Sequence, residues 1–478
     1  MVLSKANILA LVLGYPLFTV FWTVVFWTRI AGRYQPTWES LDTRPLPDWY
    51  DNAKVGLLIH WGLFSVPSFG SERFWQEWKG GNHKFVHFMM KNYPPNFTYQ
   101  DFASQFKAEF FDPKEWTEVF EASGARYIIL TSKHQEGYGM WPSPYSWNWN
   151  CKDVGPNKDL VGELASAVKS YTPQIRFGVY YSLPEWFNPL YELDRKNHSK
   201  SNTYVSTKVL PELYSIVRRY QPEIIVSEDD EREPDSYWNS TLFLSWLFNE
   251  SPVRRTVVVN DRWGSGTFCR HGSYFTCYSA GTLPPHKFER RISLDRHSLG
   301  YRREARLGDY LSIYELIASI AETVSCGGNI LINIGPSPDG RIPPIMEERL
   351  RQVGAWLDVN GEAIYASIPW THQNDTITRG IWYTKDKDLD RTYAIVLNWP
   401  EDCLLFLGAV EPSKETKIFL LGYETPDAKF IRLKTCPKSE ANGPGSSLCQ
   451  ELALHCCFEG YSYHLSGMSY SYLCFRME

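Results

Sequence analysis

The chain has 478 residues, 43% hydrophobic and 22% charged, with a net charge of −5. That length has room for two domains and a large buried core. The mildly acidic balance argues against nucleic acid or an anionic surface as partner, and the 15% aromatic content suits both large cores and sugar sites.

Residues 6–28 carry no charge, follow Lys5 and precede Arg29, and are long enough to span a bilayer. Two readings fit a segment 1–33: a signal anchor with the bulk of the chain lumenal, or a long signal peptide removed near Gly32. Both direct the chain into the secretory pathway, to a lysosomal, extracellular or membrane-anchored place. Sequons at Asn96, Asn197, Asn239, Asn249 and Asn374 agree with that route, although Pro252 follows the Asn249 sequon. The ten cysteines lack a paired CxxC spacing, so zinc is not indicated, and Cys269 and Cys277 flank one loop as the best local bridge.

Residues 34–51 form a Pro-rich, polar lead-in. The run 54–62 (KVGLLIHWG) is a strand ending in His60-Trp61-Gly62, and Glu72 follows among aromatics. Residues 102–123 read as helical, with Pro113 starting a new turn. A second buried strand, 127–131, runs into Ser132 to Gly137, including His134. A third, 176–182, carries Tyr180 and Tyr181 at its end. An amphipathic helix over 209–219 leads to the strand 223–226, which breaks into Ser227-Glu228-Asp229-Asp230-Glu231. The strand 256–259 breaks into Asn260-Asp261-Arg262-Trp263. The helix 309–325 has a capping box at Ser312 and Glu315. The strand 329–334 and the helix 347–359 follow. Strands alternating with helices imply a parallel α/β fold, either a barrel or a doubly wound sheet. Polar clusters after so many separate strands favour a (β/α)8-like barrel over residues 34–368, because a barrel presents its chemistry at the C-terminal rim. From residue 369 short alternating strands predict an antiparallel β-sandwich to the end of the chain, with an aperiodic Cys-rich tail after Leu433.

The segments YQPTWESLDTRPLPDWYDNAKVGLLIHWGLFSVPSFGSE, YIILTSKHQEGY, RFGVYYSLPEWFNPLY, VVVNDRWG, GYRREA and SCGGNILINIGPSPDG resemble the α-L-fucosidases, in this order and over roughly residues 34–434. The resemblance implies a retaining hydrolase of terminal α-L-fucose on glycoproteins or glycolipids. Such an enzyme uses two carboxylates about 5 Å apart and no cofactor or metal. It implies an acidic optimum and, from the family's habit, a homo-oligomer. The fucose pocket would be lined by His60, Trp61, Glu72, His134 and Tyr181. The family's nucleophile turn is Trp-Ser-Asp-Gly, and this chain reads Val226-Ser227-Glu228-Asp229. Glu228 therefore takes the nucleophile position, with Asp229 as fallback. Of the family's two acidic candidates for acid/base only Glu289 stands here, because Ser279 replaces the other. Its pKa is expected to rise beside an ionised nucleophile. Two neighbours also depart from the pattern: Arg73 replaces an aromatic and Gln135 a histidine. The second functional class these departures suggest is a fucose-binding recognition protein on the same scaffold.

Overall fold

The computed structural model describes residues 32–228, 232–279, 281–399, 404–411, 413, 416–422, 432–434, 452–455 and 473–477. The apolar stretch 6–28, Asp229 and most of the chain after Leu433 lie outside the described residues. No helix among the described residues is long and apolar enough to cross a membrane.

Seven parallel strands make one curled sheet: β1 (Val55–Ile59), β2 (Tyr127–Lys133), β3 (Arg176–Ser182), β4 (Ile224–Glu228), β5 (Val258–Val259), β6 (Glu289–Ser293) and β7 (Asn329–Ile334). Their hydrogen-bonded order is β5-β4-β3-β2-β1-β7-β6. This is the cyclic sequential order of a barrel, opened between β5 and β6, and not the reversing order of a doubly wound sheet. The (β/α)8-like expectation is met as a barrel of seven paired strands among the described residues.

β1, β2 and β7 are buried along their whole length, as strands covered on both faces must be, and they read as near-continuous apolar runs. Side-chain alternation splits them. Leu58, Tyr127, Ile129, Tyr180, Ile224, Val226, Val258 and Leu331 pack together inside the barrel. Leu57, Ile128, Val179, Ile225 and Ile332 face outward into a larger core shared with the helices. β6 is the exception: its sequence, ERRIS, carries three charges.

The outer layer includes α1 (Pro113–Ala122), α2 (Leu160–Tyr171), α3 (Leu210–Tyr220), α4 (Ser240–Asn249), α5 (Ile313–Ser325) and α6 (Pro344–Asn360). The helical stretch expected over 102–123 is divided into a 3-10 turn, Tyr99–Gln105, and α1. Asp112 caps α1 by accepting from the backbone of Lys114 and Glu115, with Pro113 at the first helical position. α5 begins at Ile313 and not at 309, because Ser312 and Glu315 close a capping box there.

The second unit has a five-stranded antiparallel sheet built on β8 (Ser367–Asn374), β9 (Ile381–Asp386), β10 (Thr392–Val396), β12 (Ile418–Leu420) and β15 (Leu473–Met477). A three-stranded sheet holds β11 (Leu404–Leu407), β13 (Arg432–Lys434) and β14 (Leu452–His455). Tyr383, Val396, Phe475 and Met477 from the first meet Leu405 and Leu407 from the second in one apolar core, the sandwich arrangement. β15 lies in the stretch whose sequence shows no periodicity, yet it pairs with both β10 and β12.

Candidate active site

The tips of β4 and β5 are locked to each other. Asn260 Oδ1 accepts from the Ser227 backbone N–H at 3.0 Å, and Asn260 Nδ2 donates to the Ser227 carbonyl at 2.7 Å. This closed pair of amide bonds fixes the backbone one residue before Glu228. Asp261 anchors the following loop by accepting from Cys269 N (2.9 Å), Thr276 N (3.1 Å) and Thr276 Oγ1 (2.7 Å). The expected Cys269–Cys277 disulfide closes the same loop. Thr276 and Tyr278 are thereby held as one wall of a cavity of about 240 Å³, which Glu228, Arg262, Glu289 and Arg291 also line. That volume lies just below the roughly 300–1,000 Å³ of drug-sized sites and suits a single small ring.

Glu228 ends β4 at the C-terminal rim, where a barrel carries its chemistry. Arg291 Nη2 donates to Glu228 Oε1, and Arg262 Nε stands 3.8 Å from the same oxygen. Burial works against the charge on Arg291, but Glu228 outweighs it and raises the guanidinium above its ordinary value. Glu228 therefore sits between two cations. Arg291 Nη1 is buried with no hydrogen-bond partner among the described residues, which leaves a donor at the cavity.

Glu289, which the resemblance makes the acid/base, does not stand at the C-terminal rim beside Glu228. It opens β6, opposite Asn329 at the start of β7, and so belongs to the N-terminal end of the barrel. Its Oε2 accepts from Tyr50 (2.8 Å) and Tyr127 (2.6 Å). Arg291 lies two residues, or roughly 7 Å, further up the same face of the strand, and its guanidinium reaches Glu228. The carboxyl pKa of Glu289 is raised, as expected, but the cause is burial and not the nearby nucleophile. The tyrosine hydrogen bonds and Arg291 act in the opposite direction.

Of the other predicted site residues, His60 is fully buried, with Thr131 Oγ1 3.4 Å from Nδ1 and Nε2 without a partner among the described residues. Burial, then His134 and Arg291, hold its pKa well below the usual value, so the ring is neutral and able to bond a hydroxyl. The His134 ring stands 5.1 Å from it and bonds Glu136 through Nδ1 at 3.1 Å. Glu72 joins this rim to the chain after β6, accepting from Ser298 Oγ and Leu299 N at 3.1 Å each.

Trp61 and Tyr181 depart from expectation. The Trp61 ring packs against Phe106, Phe111 and Trp116 in the outer core and donates to the Ser337 carbonyl. Tyr181 turns outward to Glu212 at 2.8 Å, under Lys133 Nζ. The reason is strand parity: one residue's shift along a strand exchanges the two faces. The inward neighbour of Tyr181 is Tyr180, whose ring lies 5.1 Å from His60. Counting by twos along 176–182 would have selected it.

Among the sequons, Asn96, Asn197 and Asn374 are exposed and Asn239 is half-buried. Asn249 is engaged with the backbone of Tyr34 through both side-chain atoms, an arrangement that leaves its amide nitrogen occupied.

A family model described as alpha-L-fucosidase matches residues 26–362, and one described as the alpha-L-fucosidase C-terminal domain matches 373–435. The chain is 55% identical to an alpha-L-fucosidase of Branchiostoma floridae over 399 residues, covering 82% of this chain and 88% of that protein. It is 54% identical to the plasma alpha-L-fucosidase of Homo sapiens (83% and 86% covered) and 52% identical to the human tissue alpha-L-fucosidase (85% and 89% covered). Among solved structures, Thermotoga maritima alpha-fucosidase in complex with fucose superposes with a TM-score of 0.77 at 28% identity, covering 93% of this chain and all of that one.

Proposed function

The chain belongs to the alpha-L-fucosidase family of glycoside hydrolases, and from that premise we propose that it releases terminal α-L-fucose from fucosylated glycans through Glu228. The observation that carries the reading is the placement of Glu228: a carboxylate at the C-terminal end of β4, on a backbone locked by Asn260, facing a cavity of monosaccharide scale. In a retaining mechanism it attacks the anomeric carbon as the leaving oxygen departs, and water then hydrolyses the glycosyl–enzyme ester. The orphan His60 Nε2, His134 and Glu72 bind ring hydroxyls. The human relatives named as plasma and tissue enzymes support a place in the secretory pathway, either extracellular or lysosomal.

The role of Glu289 divides into two. As acid/base it would protonate the leaving oxygen, which its burial-raised pKa favours. As a floor residue it would hold the tyrosine cage, which its position at the start of β6 favours. The experiment for the main proposal is fucose release from an aryl α-L-fucoside between about pH 4 and 7. Activity with an acidic optimum supports it, and silence across that range overturns it.

A further inference from the structure

On the outer face of β2 and β3, Lys133, Glu185 and Lys208 are buried together, with Lys133 fully enclosed. Glu185 Oε1 accepts from Lys133 Nζ at 2.8 Å and stands 3.1 Å from Lys208 Nζ, while its Oε2 accepts from Asn188 Nδ2 at 2.8 Å. Lys133 Nζ also reaches the Tyr204 hydroxyl at 3.3 Å and lies 4.2 Å from the centroid of the Tyr181 ring. Burial raises the pKa of Glu185, but the two lysines outweigh that and hold it at about 2, so the carboxylate is ionised wherever an acidic hydrolase works. Lysine is almost never fully enclosed unless it is paired. Yet desolvation offsets most of the attraction within a buried ion pair, and apolar residues of equal volume often serve stability as well. What the pair adds is one fixed geometry.

Two backbone irregularities bring these charges together. β2 pairs with β3 residue by residue from Tyr127 opposite Arg176 to Thr131 opposite Tyr180, and then slips, so that Lys133 and not Ser132 stands opposite Tyr181. The extra residue is a bulge, which re-aims the side chains beyond it. Tyr127 and Ile129 point into the barrel and Ile128 and Leu130 away from it, so strict alternation would turn Lys133 inward and His134 outward. The bulge reverses both: Lys133 goes out to Glu185, and His134 comes in beside His60. The second irregularity is a π-helical turn, Val205–Val209, which delivers Lys208 just ahead of α3. Such turns are frequent at functional sites.

The pair is joined directly to the pocket. Lys133 immediately precedes His134, and Glu185 immediately precedes Trp186, whose ring stands 5.6 Å from that of His134. The Trp186 backbone N–H donates to the Gln135 carbonyl at 2.7 Å, and its indole N–H donates to the Gln135 side chain. Gly137, at φ +80°, passes Glu185 so closely that a Cβ would lie 2.5 Å from Oε2. We propose that the Lys133–Glu185 pair is a positioning device for the fucose pocket: it holds the β2 bulge in place and so sets where His134 meets the sugar. The inference rests on the fucosidase reading for what His134 binds. Neither partner touches the sugar; both act through His134 and Trp186.

Lys133→Met and Lys208→Met separate this role from plain stability. Each takes one lysine from the same carboxylate and leaves the other in place, but only Lys133→Met releases β2. On an aryl α-L-fucoside, Lys133→Met is expected to lower kcat/KM by roughly 10- to 100-fold, mostly through KM. The calorimetric Kd for L-fucose should weaken in parallel, and Lys208→Met should move both constants several-fold less. Equal losses in the two variants, or an L-fucose Kd that Lys133→Met leaves unmoved, overturn the proposal. Should Lys133→Met fail to fold, Lys133→Arg takes its place with the same expected split from Lys208→Met, since arginine keeps the charge but not the compact geometry of the ammonium. If the wild type binds L-fucose but releases none from any substrate, the fucosidase reading fails on its own and the Kd comparison alone decides the pair. A wild type that does not bind L-fucose overturns both.

Discussion

Arg291 reaches the carboxylate that the family places at its reaction centre, from a strand that sequence periodicity does not reveal. The ion pair orients Glu228 and keeps one of its oxygens occupied, with Arg262 3.8 Å away as a second cation. Arg291→Met should therefore lower kcat/KM on an aryl fucoside by about tenfold and cost about 1–2 kcal/mol of stability, since it strands a partly buried charge. A variant as active and as stable as the wild type would show that the pair is idle. Glu289 gives a pH prediction. Its folded pKa is raised by burial, so folding favours the protonated form. Stability should then fall as pH rises from the ordinary glutamate value through the raised folded one. Glu289→Gln cannot ionise and should remove that fall in a thermal-unfolding series from about pH 4 to 7. An unchanged slope would contradict the assignment. The same variant separates the two roles: an acid/base loses alkyl fucosides far more than aryl fucosides with good leaving groups, whereas a floor residue loses both alike. Glu228 was legible in the sequence because a β-branched run breaks into acids there. Tyr180 was passed over, because the doublet Tyr180-Tyr181 puts an aromatic on each face and only a count by twos along the strand separates them.

The barrel elements that the sequence reveals include those whose burial is written as periodicity or as a β-branched run: β1, β2, β3, β4, β5, β7, α3, α5 and α6. β6 escaped because its inward positions are Glu289, held by Tyr50 and Tyr127, and Arg291, held by Glu228, which leave no apolar run to read. β15 escaped for another reason. Its partners β10 and β12 lie far from it in sequence, and five residues are too few for alternation to stand out. It nonetheless buries Cys474, Phe475 and Met477 between two strands. A truncation ending before Leu473 should strip the pairing from both β10 and β12, exposing sheet edges and apolar surface. We expect a lower melting temperature and aggregation on heating. A truncated chain that melts like the full one would show that this strand contributes nothing to the sandwich.

At the scale of the molecule, strand order and site reinforce each other. A sequential cyclic sheet brings the ends of β1 through β4 to one rim, which is why His60, His134 and Glu228, distant in sequence, share a neighbourhood. The sandwich is built on β8 and β9, both of which contact α5, so the second unit is tied to the barrel's outer layer. The barrel, the sandwich and the family were all legible from segment order. The geometry around the second carboxylate was not, because it depends on packing inside the barrel. The central claim is that Glu228, one methylene longer than the aspartate the family pattern places there, is a working nucleophile. The most direct measurement is fucose release from an aryl α-L-fucoside at about pH 5 by the wild type, Glu228→Ala and Glu228→Asp. A nucleophilic Glu228 requires an active wild type, an Ala variant slower by at least about 1,000-fold and an Asp variant that retains activity. An Ala variant as active as the wild type, or activity in the Asp variant alone, would contradict it.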